Sequence, residues 1–404
     1  MHRPSLKKGG KMDLIYMDNA ATTKVAPEVY EVMKEYFEEE YANASGAYSF
    51  AGKTSARVEE ARRLVADFLG AKSNEIFFTS GGSESDNWAI KGIADALKSK
   101  GNHIITTKIE HHAVLHTCEY LESRGFEVTY LDVDEYGLVD PKAFEAAIRP
   151  ETILASIMFA NNEIGTIEPI KELGKIAHEH GVIFHTDAVQ AYGHVKIDVN
   201  EMNIDLLSAS GHKINGPKGV GILYIKKGIR INNLIHGGSQ ERGKRAGTTN
   251  TAGIMGFCVA TKLAKERMDE RNAREEELRD YLVKSVLERI PYTIYNGHPT
   301  SRLSNNANFC FRFIEGESLL IMLDQKKVCG SSGSACTSGS LDPSHVLLAI
   351  GLKHEIAHGS LRLTVSAENT KEEVDYVVDA LEAIVGRLRN MSPLYEDFLR
   401  KEGK

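Results

Sequence analysis

Between residues 75 and 225 the chain alternates short apolar runs with stretches of helical spacing, and this alternation constrains the fold more than any other feature. Runs at 75–79, 103–107, 126–131, 152–160, 182–186, 206–209 and 219–225 have the length and composition of strands, while 83–98, 111–123, 141–148 and 167–180 carry apolar residues at helical intervals. Strand, helix, strand repeated in this way predicts an α/β chain with a mostly parallel sheet and helices on both faces. Ligands of such sheets sit beyond the carboxyl ends of the strands, where the chemically unusual residues of this chain fall.

A chain of 404 residues is too long for one ordinary core and suggests two domains. The charge-dense stretch 266–280 keeps Leu263, Met268 and Leu278 for burial and reads as a long, solvated helix joining them. Beyond it, 308–314 and 360–365 read as strands of a smaller domain. Thr370-Lys-Glu-Glu is a capping box opening a helix whose Val374, Val377, Val378, Leu381, Ile384, Val385 and Leu388 make one apolar face. Near the N-terminus Pro27 opens a helix with Val29, Val32, Met33, Tyr36 and Phe37 as its stripe. The Gly/Ser-containing stretch 42–52 then leads into a second helix through Val58, Ala61, Leu64, Val65 and Phe68. The expected division is a disordered extension at 1–11, a large domain at 27–270, and a small domain made of 12–26 and 271–404.

A net charge of -7 argues against a nucleic-acid surface, and no run of about 18 apolar residues is present to span a membrane. Residues 1–11 are basic without an apolar core, unlike a secretory signal. Five cysteines, an odd number scattered through a large chain, suit thiols in a reducing compartment, and a cytoplasmic location is expected.

Lys213 follows the mostly apolar 204–209 among small residues, in Ser208-Ala-Ser-Gly-His-Lys-Ile-Asn-Gly-Pro. A lysine so placed is either a solvated residue at the mouth of a turn or an amine desolvated enough to lose its proton and form a Schiff base. Earlier, Val182-Ile-Phe-His-Thr-Asp-Ala-Val-Gln reads as a buried strand ending in Asp187 and Gln190, and a carboxylate there can hold a pyridine nitrogen protonated. Lysine and pyridinium partner are the pair that pyridoxal phosphate requires.

Thr79-Ser-Gly-Gly-Ser-Glu-Ser-Asp-Asn stands between a strand and a helix. It is either a phosphate cradle, in which the free amides of the helix start face the loop and Ser83 and Ser85 add hydroxyls, or an N-cap with two turn glycines. Ser208, Ser210 and His212 can donate to the same anion. His111, at another strand end, offers a flat imidazole to stack on a pyridine ring and shuttle protons. Adjacent His111 and His112 would point apart, so zinc is disfavoured and no metal is expected. Asn161 and Asn162 either cap a turn or bind a ligand's oxygen.

Cys336 lies in a run of small residues that cannot pack a core, which makes it an exposed, mobile nucleophile able to travel to a substrate. Cys329, beside Val328, reads as structural. Arg362 sits in the apolar strand Leu361-Arg-Leu-Thr-Val and needs a carboxylate, from a protein Asp or Glu or from an amino-acid substrate.

Taken together, these motifs resemble those of the NifS/IscS-type cysteine desulfurases, fold-type I pyridoxal phosphate enzymes of the class V aminotransferase family. The likeness runs from about Tyr16 to Tyr395 and includes Asp18-Asn-Ala-Ala-Thr-Thr, Ala160-Asn-Asn-Glu-Ile-Gly-Thr, His236-Gly-Gly-Ser-Gln-Glu-Arg-Gly and Gly333-Ser-Ala-Cys-Thr-Ser. Ala44 and Tyr48 stand where the family pattern has proline and histidine. The resemblance implies a large domain with a mostly parallel seven-stranded sheet flanked by helices, a smaller α+β domain, and a homodimer. It implies that Lys213 holds the cofactor, Asp187 pairs with its ring nitrogen, Gln190 and Asn162 meet its hydroxyl side, and His111 stacks on it. Gly82, Ser83, Ser210 and His212 would contact the phosphate, with Thr248 supplied by the other subunit. Arg362, with Asn162, would bind the substrate. The implied activity converts L-cysteine to L-alanine, with sulfur left on Cys336 as a persulfide for an iron-sulfur scaffold or other acceptor protein. The alternatives are a class V aminotransferase or selenocysteine lyase in which Cys336 is incidental, or a catalytically idle scaffold in a sulfur-transfer assembly.

Overall fold

Seven strands form one sheet in the order Ile76–Thr79, Gly221–Ile225, Leu206–Ser210, Ile183–Asp187, Thr152–Ser156, His103–Thr107, Glu127–Leu131. Gly221–Ile225 is antiparallel to both neighbours and the remaining pairings are parallel, as the sequence predicts. This computed structural model describes residues 14–332 and 343–402, so the expected extension at 1–11 and Cys336 lie outside the described residues.

Alternate side chains of each strand point to opposite faces, and the sheet feeds two cores accordingly. Ile76, Phe78, Ile105, Ala155, Phe184, Leu207, Ile222 and Tyr224 face helices Ser49–Leu69 and Ile170–Glu179. Phe77, Ile104, Leu154, Leu206 and Leu223 face helices Gly82–Leu97 and His112–Glu122. Burial on both faces explains why these strands read as apolar runs rather than as alternating patterns.

Helix Thr251–Arg289 is 39 residues long, about 58 Å at helical rise. Its Ile254, Phe257, Ala260 and Ala264 enter the first core, whereas Leu278, Leu282 and Val286 enter a further one. That further core also holds Ile15 and Met17 from the N-terminal segment. It includes Phe309 and Leu361 of an antiparallel three-stranded sheet, ordered Ser360–Thr364, Asn306–Phe311, Thr293–Asn296. The expected capping box is formed: Thr370 Oγ1 accepts from the Glu373 amide at 3.2 Å and Glu373 Oε2 accepts from the Thr370 amide at 3.1 Å. Among the described residues no helix is long and apolar enough to cross a membrane.

Two local expectations are corrected. Helix Ser49–Leu69 starts inside the stretch read as a loop, because Ala51 and Thr54 are fully buried and recruit the first turn. In helix Pro27–Glu38, Val29 and Tyr36 are buried but Phe37 is 66% exposed. One position beyond Tyr36 is a rotation of about 100°, off the packed face.

The turn Glu241–Gly243 is held against this framework by a buried ion pair. Both Glu241 oxygens accept from the Arg62 guanidinium, and Glu241 Oε2 also accepts from the Phe78 amide at 2.8 Å. Glu241 and Arg242 take left-handed φ values of 45° and 56°, a conformation that other contacts must sustain. Glu241→Ala leaves the buried Arg62 cation short of its closest partner and is expected to cost about 3 to 5 kcal/mol, measured by chemical denaturation.

Candidate active site

The carboxyl ends of the parallel strands open into a cavity of about 400 Å³. Asp187, the last residue of its strand, is buried there, and its Oδ1 accepts from the Val189 amide at 2.9 Å. Burial pushes its carboxyl up to about 6, against that hydrogen bond and the charge of Lys213. Lys213 closes a single helical turn after strand Leu206–Ser210, and its Nζ donates to the carbonyls of Ala20 and, at 2.8 Å, Ala21. Desolvation lowers its amine to about 8, assisted by the charge of Arg362 and opposed by Asp18 and Asp187. Lys213 is thus half-buried, with its amine held on backbone carbonyls at the cavity wall.

The opposite end of the cavity is the start of helix Gly82–Leu97. Its N-cap, Gly81, has φ 151° and no side chain to satisfy the first-turn amides, leaving them for an anion. A Cβ on Gly82 would lie 2.5 Å from Val189 Cγ2, so glycine is what lets the helix start approach the Asp187 loop. Gly82, Ser83, Ser210 and His212 line the cavity, and His212 Nδ1 lies 3.1 Å from Thr22 Oγ1. Ser85 and Ser208 do not join them, contrary to expectation. The Ser85 hydroxyl turns inward to the Ile222 carbonyl at 2.9 Å, and Ser208 Oγ sits beneath the site, 3.0 Å from His185 Nε2.

His111 is the N-cap of helix His112–Glu122, its Nδ1 accepting from the Ala113 amide at 3.1 Å, which puts the ring proton on Nε2. Desolvation, followed by the charge of Lys213, lowers it to about 4, so the imidazole on the cavity wall is neutral. Of the two asparagines, Asn161 caps the turn: its Oδ1 accepts from the Glu163 and Ile164 amides at 2.8 and 3.0 Å. Asn162 lines the cavity, as does Gln190, whose Nε2 donates to the Ala20 carbonyl at 3.0 Å.

Arg362 finds the protein partner that its strand demanded. Its Nη2 donates to Asp18 Oδ1 at 2.9 Å and its Nη1 to the Asn162 carbonyl at 2.9 Å, while Nε is buried without a hydrogen-bond partner. Ser331 pairs with Arg362 and, with Ser332, lines the cavity. Cys329 is half-buried in a two-residue strand beside Tyr16, its thiol raised by burial. Thr248 is exposed and is not part of this chain's cavity lining.

Asp18, Ala20, Ala21 and Thr22 carry no chemical signal in the sequence that assigns them a role, yet they bond Arg362, Lys213 and His212. A phosphorylated pyridine aldehyde needs an amine with a depressed pKa, a buried carboxylate, an uncapped helix start and a neutral flat ring. The cavity supplies all four, so its residues fit pyridoxal phosphate.

The sequence profile of the class-V aminotransferases matches residues 15–377. A cysteine desulfurase IscS from Clostridium botulinum is 60% identical over 390 residues, 96% of this chain and 98% of the relative. One from Methanosarcina thermophila is 60% identical over 381 residues, 94% of each. Among solved structures, a NifS-like protein superposes with a TM-score of 0.88 at 38% identity, covering 93% of this chain and 100% of its own. A structure of SspA in complex with cysteine gives 0.78 at 40% identity, covering 88% and 100%. The chain thus belongs to the class-V aminotransferase family, among its NifS/IscS-type cysteine desulfurases, a group that depends in general on pyridoxal phosphate.

Proposed function

We propose that this chain is a pyridoxal phosphate-dependent cysteine desulfurase that converts L-cysteine to L-alanine and leaves the sulfur on Cys336 as a persulfide. The observation that carries the reading is one cavity in which a desolvated Lys213 shares its walls with a buried Asp187 and with the residues that lead to Cys336.

The bound cofactor supplies an electron-accepting ring that makes the substrate's α-carbon acidic. In this reading Gly82, Ser83, Ser210 and His212 hold its phosphate, and Thr248, exposed on this chain, serves the cavity of a second copy in a homodimer. Asp187 keeps the ring nitrogen protonated, Gln190 and Asn162 orient the hydroxyl side, and neutral His111 covers the ring and relays a proton. Arg362, with its spare Nε donor, binds the substrate carboxylate next to Asn162. The Lys213 amine takes the α-proton. The Cys336 thiolate then attacks the substrate sulfur: an S–S bond forms, the C–S bond breaks with its electron pair passing to the carbon skeleton, and protonation of the β-carbon together with return of the α-proton from Lys213 gives alanine. An iron-sulfur scaffold or another acceptor protein removes the persulfide sulfur. The chain divides into a large domain at 27–270 and a small one from 12–26 with 271–404, and works in the cytoplasm.

The pKa of Lys213 gives a direct check. Its ammonium is inert below the folded value and its neutral amine reactive above it. Pulse-labelling of the cofactor-free chain by an aldehyde and cyanoborohydride, read by peptide mapping, should therefore rise to a plateau through about pH 8, well below the 10.5 of an ordinary lysine. Lys213→Ala should lack the cofactor's visible absorbance. Cys336→Ala should keep that absorbance but release no sulfide, and after exposure to cysteine the unsubstituted chain should carry one added sulfur atom on its Cys336 peptide by mass spectrometry. Full turnover by Cys336→Ala would remove Cys336 from the mechanism.

A further inference from the structure

The polar face of the three-stranded sheet carries buried donors that the mechanism does not use. Asn308 pairs in register with Arg362 on one side and with Asn296 on the other, so these three side chains share one face. Phe309, the next residue, turns to the opposite face and its apolar core. Asn296 and Asn308 are buried, and Asn308 Oδ1 accepts from Asn296 Nδ2 at 2.7 Å. A row of buried amides is costly unless its donors find acceptors.

The acceptors are three successive backbone carbonyls of the turn that carries Asn162. The Asn162 carbonyl accepts from Arg362 Nη1 at 2.9 Å and, at 3.4 Å, from Asn306 Nδ2. The Glu163 carbonyl accepts from Asn308 Nδ2 at 3.1 Å. The Ile164 carbonyl accepts from Arg302 Nη2 at 3.1 Å. Arg302 is 6% exposed, stands 4.2 Å from the centre of the Tyr295 ring, and gives its other hydrogen bonds to the carbonyls of Asn296, His298 and Asn306. A guanidinium whose hydrogen bonds all go to carbonyls fixes backbone positions rather than neutralising a charge.

Asn162, Glu163 and Arg362 line the cavity, and the Asn162 carbonyl orients Arg362 Nη1. Asn308 stands beside Arg362 in the sheet and holds the peptide next to Asn162, so it sets the spacing between the strand that presents the guanidinium and the turn that orients it. We infer that Asn308 is a positioning residue for Arg362, acting through the Glu163 carbonyl, with Arg302 clamping the next peptide of the same turn. The array sets the cavity's affinity for the carboxylate of an amino acid. This rests on the proposed use of Arg362.

The test uses three variants of the cofactor-loaded enzyme. Asn308→Ala removes the donor, Arg302→Lys keeps the charge but has three donors for four carbonyls, and Phe309→Leu alters packing on the opposite face of the same strand. Titration of the cofactor's visible band with L-alanine should give a Kd raised about fivefold in Asn308→Ala, the worth of one hydrogen bond, and raised in the same direction in Arg302→Lys. Phe309→Leu should lower the Tm and leave that Kd unchanged. With cysteine, KM should rise in Asn308→Ala while kcat holds, the signature of lost uniform binding. In the cofactor-free chain, hydrogen exchange across residues 160–168 should be faster in Asn308→Ala than in Phe309→Leu. An unchanged alanine Kd in Asn308→Ala, or in Arg302→Lys should Asn308→Ala fail to fold, overturns the inference. An equal rise in Phe309→Leu overturns it as well, because the effect would then be one of general stability. Alanine binding reads the array whether or not cysteine is desulfurised, so a failure of turnover alone would count against the proposed function and not against Asn308.

Discussion

Taking an ammonium and a carboxylate out of water is costly, and the site is organised around meeting that cost without neutralising either group by direct pairing. Lys213 is kept from an ion pair with Asp187; its hydrogen bonds go to two backbone carbonyls, Ala20 and Ala21. Carbonyl dipoles stabilise an ammonium less than a carboxylate does, which leaves the amine with the depressed value of about 8. Arg362, the other buried cation, is compensated by Asp18 on the same short segment. Residues 18–22 therefore hold both cations of the cavity, while Ile15 and Met17 just before them are packed in the core that includes Phe309 and Leu361. One segment ties the end of the large sheet to that other core.

The same physics decides what could be read from the amino-acid sequence. The sheet was legible because strands buried on both faces must be apolar throughout, and Lys213, Asp187 and His111 were legible because their side-chain chemistry is conspicuous at strand ends. Ser85 and Ser208 were misjudged for the opposite reason. A hydroxyl next to a loop is equally able to face the cavity or the sheet, and only the packing of helix Gly82–Leu97 decides, sending Ser85 to Ile222. Asn161 and Asn162 illustrate the same limit, since adjacent amides differ here only in which way the turn points them. The roles of Ala20 and Ala21 could not be read at all, because their contribution is the backbone oxygen that every residue possesses. Arg362 showed the need for a carboxylate, but Asp18 lies 344 positions away and only the fold brings it there.

Buried acids recur around the cavity, and their partners sort them. Burial raises Glu163 to about 7, but its Oε2 accepts from the Ser344 hydroxyl. Glu110 accepts from the Thr107 hydroxyl and the Met158 amide, linking two strand ends behind His111. Each ties separate segments together, and burial raises both above the ordinary carboxylate range.

This arrangement also fixes the chain on either side of Cys336. Before it, Ser331 exchanges backbone hydrogen bonds with Arg362 at 2.6 and 3.0 Å; after it, Ser344 is held by Glu163 and caps helix His345–Ala349, whose first residue donates from Nε2 to the Glu110 carbonyl 2.9 Å away. Because a carbonyl can only accept, that contact makes His345 Nε2 the donor and fixes its tautomer. Both anchors thus rest on residues of the cavity wall, Arg362 on one side and Glu163 on the other, with Glu110 buried behind. Arg362 thus faces the cavity with its guanidinium while its backbone holds Ser331, so one residue of the wall serves both the cavity and the chain next to it.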